Sequence, residues 1–237
     1  MKIVVGVATY NEAQNIERLV EEIHSHLPNQ RVLIIDDNSP DGTGKVIEKM
    51  MENDPYLRMI HRPGKMGLGS AHIVMMKYAM ENDFDALITM DADFSHAPSD
   101  LPTIAEHLKN YDFVIGSRYI EGGKSHYGFY RTLISKVANW GAQKMAGIPL
   151  CECTTAYRGF RVELLRKVQL NEVRSNGYSF MVEMLYHVVQ HTNKLKEFPI
   201  EFVDRVCGKS KINKKEMVQS ALTLVRLWFD RRKKKQQ

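Results

Sequence analysis

The run Ile88-Thr89-Met90-Asp91-Ala92-Asp93-Phe94-Ser95 sets two carboxylates one residue apart, directly after an apolar approach through Leu87, Ile88 and Met90. A bend at that point would present both acids at the carboxyl end of a strand, where α/β sheets gather their ligands. Hard divalent cations take oxygen donors, usually one or two carboxylates completed by substrate phosphates and water. Asp91 and Asp93 are therefore candidate ligands for Mg²⁺ or Mn²⁺ on a phosphate-bearing substrate, with Asp93 the stronger candidate for direct ligation. The simpler alternative is a turn in which each acid accepts hydrogen bonds from its own backbone. Ser95 divides in the same way: its hydroxyl could ligate weakly or hold a water, or it could cap a helix that begins after Pro98.

A second acidic turn favours the first reading. Val32-Leu33-Ile34-Ile35 runs into Asp36-Asp37-Asn38-Ser39-Pro40-Asp41-Gly42-Thr43, and Ile3-Val4-Val5-Gly6-Val7-Ala8 runs into Thr9-Tyr10-Asn11-Glu12. Helical periodicity follows each apolar run, so the chain reads as repeated β-loop-α units around a largely parallel sheet. The pattern predicts strands over about 2–8, 31–36, 56–61, 85–90 and 112–116, with helices over about 12–26, 43–52 and 98–109. Another helix runs to about Met80, entered through Pro63-Gly64-Lys65-Met66-Gly67-Leu68-Gly69, a stretch that either approaches a ligand closely or simply turns. Beyond it the pattern predicts helices near 130–146, 161–168 and 179–191 and a strand at 195–202.

Composition bounds the class. With 237 residues and 43% hydrophobic content the chain suffices for one α/β domain with a large core. It contains no apolar run near the 18 residues of a membrane span, and the N-terminus enters a strand at once, so neither a span nor a signal peptide is expected and the cytoplasm is the expected compartment. Cys151 and Cys153 lie too close to pair comfortably and have poor zinc spacing, which makes them structural thiols. The formal charge of +5 comes largely from the C-terminal tail, without an aromatic-basic module, so nucleic acid is not an expected partner. A haloacid-dehalogenase-like phosphatase also uses an Asp-x-Asp pair, but on its first strand, whereas this pair follows the fourth. Intact acids also argue against a non-catalytic adaptor.

Taken in order, Thr9-Tyr10-Asn11-Glu12, the acidic turn 36–43, Asp91-Ala92-Asp93 and Gly116-Ser117-Arg118-Tyr119 resemble the family 2 glycosyltransferases of GT-A fold. Within them the chain is similar to the dolichol-phosphate (polyprenol-phosphate) mannosyltransferases. Thr154-Thr155-Ala156-Tyr157-Arg158, Gly177-Tyr178-Ser179-Phe180 with Glu183, and Asp204-Arg205 followed by Gly208-Lys209-Ser210-Lys211 extend the resemblance to about residue 211. It implies an α/β, Rossmann-like three-layer GT-A domain over 1–211 and an inverting, metal-dependent transfer of mannose from GDP-mannose to a dolichyl or polyprenyl phosphate. The alternative is the same fold moving glucose or another sugar from a UDP-sugar to a polyprenyl phosphate or saccharide.

On that resemblance the donor would lie against Ala8, Tyr10, Glu12, Ile35, Asp37, Asp91, Ala92 and Asp93, with Arg205 and Lys211 on a loop closing over it. Tyr10 would flank the base and Glu12 accept from the ribose or a guanine edge; the local alternatives are a packed Tyr10 and a helix-starting Glu12. Arg118, Arg131 and Ser135 would take the acceptor phosphate, since guanidinium matches phosphate oxygens bidentately. Asp93, acting through the metal, and Arg118 are the expected catalytic residues. A phosphate monoester has its second pKa at about 6 and attacks without a general base. His61, His72, His96 and His126 are accordingly read as loop or structural residues. The chain departs from the family pattern at Ala8, where Pro is common, at Ser95, where some relatives have Gln, at Glu152, where Asp is usual, and at Met181, where Gln is common.

The segment 212–237 combines a helical apolar stripe, Met217, Val218, Ala221, Leu222, Leu224, Val225, Trp228 and Phe229, with the basic run Arg231-Arg232-Lys233-Lys234-Lys235. Five such charges near an anionic leaflet contribute up to about 5 kcal/mol, enough for reversible docking. The stripe either docks peripherally on the cytoplasmic face of a membrane, with room for a small membrane partner subunit, or packs on the domain.

Overall fold

The computed structural model describes residues 1–177, 179–203 and 214–234. Its strands are β1 (Ile3–Thr9), β2 (Arg31–Asp36), β3 (Leu57–His61), β4 (Ala86–Asp91), β5 (Phe113–Ser117), β6 (Lys124–Ser125), β7 (Arg158–Arg161), β8 (Leu195–Pro199) and β9 (Glu201–Phe202). Its helices are α1 (Ile16–His26), α2 (Thr43–Met51), α3 (Leu68–Glu81), α4 (Leu101–His107), α5 (Phe129–Gly141), α6 (Val162–Lys167), α7 (Ser179–Val188) and α8 (Lys214–Lys234).

A seven-stranded sheet in the order β3-β2-β1-β4-β7-β5-β8 forms the middle layer, parallel except for β7. Successive strand residues face opposite sides, and both sides are covered. Val4, Leu33, Ile35, Leu87 and Ile115 pack under Ala71, Met75 and Met76 of α3 and Phe180 and Leu185 of α7. Val5, Val7, Ile34, Ile88 and Val114 pack under Ile16, Leu19 and Ile23 of α1 and Leu101 and Ile104 of α4. That double cover is why β1, β2 and β4 read as nearly unbroken apolar runs, and the expected three-layer α/β fold is the one observed.

Three local features differ from the sequence reading. The first helix begins at Ile16 rather than Glu12, after a turn in which the Asn15 and Ile16 N–H groups donate to Glu12 O (2.9 and 3.0 Å) while the Glu12 and Ala13 N–H groups donate to Thr43 Oγ1 and Asp41 Oδ2 (both 3.0 Å). β7 was not anticipated: Arg-Gly-Phe-Arg lacks a strand-like apolar pattern, yet it fills the slot between β4 and β5, where a Cβ on Gly159 would come within 2.6 Å of Ile104. The strand expected over 195–202 breaks at Ile200, after which the chain leaves β5 and pairs β9 with β6. Among the described residues no helix is long and apolar enough to cross a membrane.

Candidate active site

β1, β2, β4 and β5 run in one direction and deliver their carboxyl ends to one edge of the sheet; β7 runs against them, so the residues that precede it, Thr154 and Thr155, arrive at the same edge. Register places Ile35 beside Ala8 and Ala8 beside Asp91, so three of the expected donor-side residues form a row across β2, β1 and β4.

The loops after β1 and β2 are locked together. Buried Asp36 accepts the Thr9 hydroxyl at 3.1 Å and the Ser39 N–H at 3.1 Å, and the Asn11 N–H donates to Ser39 Oγ at 3.0 Å. Asp41 takes the Thr43 N–H and hydroxyl; Asn11 and Asn38 adopt φ of 63° and 55°, left-handed values that Asn tolerates. Asp37 is buried in an ion pair with Arg62 and accepts the Met66 N–H at 3.2 Å. Arg62 reaches on to Ser70 Oγ at 2.6 Å and Gly67 O at 3.3 Å, fastening the glycine-bearing loop to the end of β2. Tyr10 is partly exposed with Lys65 Nζ 4.6 Å from its ring centre, and Glu12 receives Asn15 Nδ2 at 2.9 Å.

The acidic turn after β4 is held from inside. Asp93 Oδ1 accepts the Ser95 N–H at 3.1 Å and its hydroxyl at 2.6 Å, while the intervening Phe94 takes a φ of 59°. Ser95 therefore serves Asp93, and Ala97 rather than Ser95 precedes the first turn of the following helix, so the capping alternative falls away. His96 Nδ1 accepts the Asp91 N–H at 3.0 Å. An Nδ1 that accepts is unprotonated, so the proton sits on Nε2, which donates to Thr155 Oγ1 at 3.0 Å. Burial pushes the His96 pKa down to about 3, with Asp93 opposing and Arg118 assisting, so this ring stays neutral. The Asp91 side chain keeps 32% exposure, whereas Asp93 is buried.

Two carboxylates with an adjacent hydroxyl are an all-oxygen donor set suited to Mg²⁺ or Mn²⁺. Among the described residues no group of three or more His, Cys, Asp or Glu could hold a metal alone. A cation at Asp91 and Asp93 would complete its shell with substrate oxygens and water, as hard cations on phosphates commonly do. The residues fit the group.

Beyond β5, Arg118 forms a buried bidentate pair with Glu152 and also reaches Thr154 Oγ1 at 2.8 Å and Ser135 Oγ at 3.4 Å, all through Nε and Nη2. Burial would raise the Glu152 carboxyl, but Arg118 and hydrogen bonds from Thr154 outweigh it and hold the group below the usual range. Arg131 and Arg118 both lie over the Tyr127 ring, at 5.5 and 5.8 Å. Of the expected acceptor trio, Arg118 and Arg131 share one aromatic ring and Ser135 meets Arg118, beside a cleft of about 540 Å³ lined by Arg118, Tyr119, Lys136, Asn139, Trp140 and Cys151 among others. Arg118, expected to hold the acceptor phosphate and to be catalytic, is already neutralised along one edge by Glu152. Arg205 and Lys211 lie outside the described residues.

Sequence reasoning passed over Glu152 as a departure from pattern and did not single out Arg62; both are buried charges that organise the edge. Arg158 is another, fully buried, with Nε on Thr155 O, Nη1 on Met181 O and Nη2 on Cys153 O at 2.7, 2.7 and 2.8 Å. Its place after Thr154-Thr155 in the quoted motif was the available signal. Cys151 and Cys153 are free thiols, and burial pushes Cys153 upward.

A mostly parallel sheet with an acidic turn after its fourth strand and interlocked loops at the same edge is an α/β fold of GT-A type. Glucosyl-3-phosphoglycerate synthase from Mycobacterium tuberculosis, solved with Mn²⁺ and UDP, superposes with a TM-score of 0.70 at 15% identity, covering 95% of this chain and 79% of that one. Mannosyl-3-phosphoglycerate synthase from Rubrobacter xylanophilus gives 0.66 at 17% identity, covering 99% and 75%. The Glycosyl transferase family 2 profile matches residues 4–169, and the chain belongs to that family. An undecaprenyl-phosphate mannosyltransferase of Micrococcus luteus is 36% identical over 214 residues, 90% of this chain and 88% of the relative. A polyprenol monophosphomannose synthase of Mycolicibacterium smegmatis is 34% identical over 215 residues, 90% and 81%.

Proposed function

We propose that this glycosyltransferase moves mannose from GDP-mannose to a polyprenyl or dolichyl phosphate, with inversion, at a membrane surface and with Mg²⁺ or Mn²⁺ as cofactor. Sequence relatives named as polyprenyl-phosphate mannosyltransferases support the sugar and the acceptor. The observation that carries the reading is the meeting, at one sheet edge, of the Asp91–Asp93 turn, the interlocked β1 and β2 loops and the Arg118–Glu152 pair.

Ala8, Tyr10, Glu12, Ile35 and Asp37 would border the nucleoside, with Asp37 preset by Arg62. A divalent cation held by Asp91 and Asp93 would neutralise charge on the departing diphosphate as a Lewis acid. Ser95 and His96 keep those carboxylates in place, the first through the Asp93 oxygen and the second through the Asp91 N–H. On the acceptor side Arg131 and Ser135 would bind phosphate oxygens, joined by Arg118 through Nη1, the nitrogen that Glu152, Thr154 and Ser135 do not use. The phosphate is already an anion at neutral pH, so alignment with the sugar carbon is the protein's remaining task. The closing loop with Arg205 and Lys211 belongs to the same proposal.

Purified protein given labelled GDP-mannose, a polyprenyl phosphate and Mn²⁺ should form a lipid-linked mannose that EDTA abolishes. Asp93→Asn should lower the rate by at least about a hundredfold, the scale of losing a preorganised electrostatic contact. A UDP-sugar donor is the competing reading; stronger thermal stabilisation by UDP than by GDP in the presence of Mn²⁺ would decide for it.

A further inference from the structure

Two neighbouring helices carry most of the exposed large apolar side chains among the described residues. On α5, Phe129 and Tyr130 are 77% and 80% exposed, Val137 and Trp140 are 59% and 60%, and Leu133 and Ile134 lie open between them. The described side chains of α8 are packed the wrong way round for water. Thr223 is buried against Ser175 at 3.3 Å, Arg226 reaches buried Glu183 at 2.6 Å and Leu227 is buried. Met217, Val218, Leu222, Val225 and Phe229, most of the apolar stripe, face outward. The two helices touch where a Cβ on Gly141 would meet Leu224 Cδ1 at 2.9 Å, and just past the end of α5 Lys144 O accepts from Arg231 Nη1 at 3.2 Å. Apolar surface gathered in this way marks a site that something covers.

Charge indicates what covers it. From Gly122 to Cys151 the chain carries Lys124, Arg131, Lys136 and Lys144 and not one Asp or Glu. On α8, Arg231, Arg232 and Lys233 stand against Asp230, while Arg226 is spent inward on Glu183. An apolar face interleaved with cations and nearly free of acids is complementary to an anionic bilayer, whose acyl boundary takes the side chains and whose phosphates take the charges. Tyr130 and Trp140, toward opposite ends of α5, are the amphipathic rings that settle at headgroup depth. With 13 residues α5 is about 20 Å long, too short for a hydrocarbon core of about 30 Å, so it would lie in the interface rather than span it.

We propose that the outer faces of α5 and α8 together form a docking surface for a bilayer bearing anionic phospholipid. This rests on the proposed function at one point: α5 also lines the cleft beside Arg118 through Lys136, Asn139 and Trp140, so a lipid phosphate would reach that cleft along the helix that sits in its membrane.

The test is flotation of the full chain with vesicles of phosphatidylglycerol and phosphatidylcholine in equal parts, and with phosphatidylcholine alone. The chain should bind the mixed vesicles, release with salt and bind neutral vesicles far more weakly. Phe129→Ser/Tyr130→Ser/Val137→Ser on α5, and separately Val218→Ser/Leu222→Ser/Phe229→Ser on α8, should each weaken binding at least about tenfold. Both variants should keep the wild-type melting temperature and the wild-type rate on a short-chain, water-soluble prenyl phosphate. Equal binding to neutral vesicles, variants that float like wild type, or a dimer in solution that the same substitutions dissociate would each overturn the proposal. A wild-type chain that floats with anionic vesicles but transfers no sugar would uphold docking and sink the proposed reaction.

Discussion

Arg118 and Glu152 close on each other as a bidentate pair, Nε to Oε2 at 2.8 Å and Nη2 to Oε1 at 3.0 Å, with both side chains withdrawn from solvent. Glu152 is seated by its surroundings as well: it accepts the Thr154 N–H at 2.9 Å, and its own N–H donates to Glu197 Oε1 at 2.9 Å. Removing one partner of a buried pair strands the other charge, which costs about 3–5 kcal/mol. Glu152→Ala should lose that much in urea denaturation, whereas Glu152→Met combined with Arg118→Met should lose clearly less than the two single changes added together. Additive losses would mean that the pair contributes no coupling.

The hydroxyl of Ser95 offers a narrower test of the acidic turn. Ser95→Ala keeps the N–H bond to Asp93 Oδ1 and deletes the 2.6 Å hydroxyl bond to the same oxygen. Stability should fall by about 1 kcal/mol, an ordinary hydrogen-bond contribution. Affinity for Mn²⁺ with GDP, measured by calorimetry, should fall roughly 10- to 100-fold, the usual effect of removing a group that orients a metal ligand. Unchanged affinity would leave Ser95 a purely structural residue.

His72 supplies the pH dependence. It is buried on α3 with its ring 5.6 Å from that of Phe180, and burial, assisted by Arg158 and His96, pushes its pKa down to about 3. The unfolded chain binds this proton near pH 6.5 and the folded one only near pH 3, so the native state holds fewer protons between those values. Its contribution to stability is therefore complete above about pH 6.5 and is lost as pH falls toward about 3, at up to about 1.4 kcal/mol per pH unit. His72→Leu should make the decline of unfolding free energy between about pH 6 and pH 4 shallower by that slope, leaving the part contributed by His96. An unaltered slope would show that His72 titrates normally.

The sheet was legible because β1, β2 and β4 are buried on both faces and end in polar turns, so Ile3–Ala8, Val32–Ile35 and Leu87–Met90 announce themselves. Residue types also brought Asp91, Asp93 and Ser95 into view, because a turn keeps sequence neighbours together. Long-range partners left no local trace. Arg62 meets Asp37 from 25 residues away and Arg118 meets Glu152 from 34, and a lone Arg in a sequence is ordinarily a solvated charge. β7 was hidden for a related reason, since its arginines are polar by type and only the tertiary fold buries Arg158. The stripe of α8 was legible as a stripe, but its outward direction depends on Glu183 and Ser175, which draw Arg226 and Thr223 inward.

Arg158 gives the last prediction. Its guanidinium is buried and donates to three backbone carbonyls, those of Cys153, Thr155 and Met181. Burial lowers its pKa to about 10, which still leaves it charged at neutral pH. Cys153 and Thr155 bracket Thr154, which contacts both Glu152 and Arg118, so Arg158 sets the backbone under the Arg118–Glu152 pair, the proposed acceptor side. Arg158→Leu would leave three carbonyls in the core without their donor, at about 1–3 kcal/mol each, so at least about 3 kcal/mol should be lost. Arg158→Lys separates folding from positioning. A lysine ammonium cannot reproduce the planar fork that spans these carbonyls, so the folded fraction should recover while kcat with a polyprenyl phosphate stays low and the affinity for Mn²⁺ with GDP stays near wild type. A lysine variant that recovers full kcat would show that Arg158 acts through stability alone.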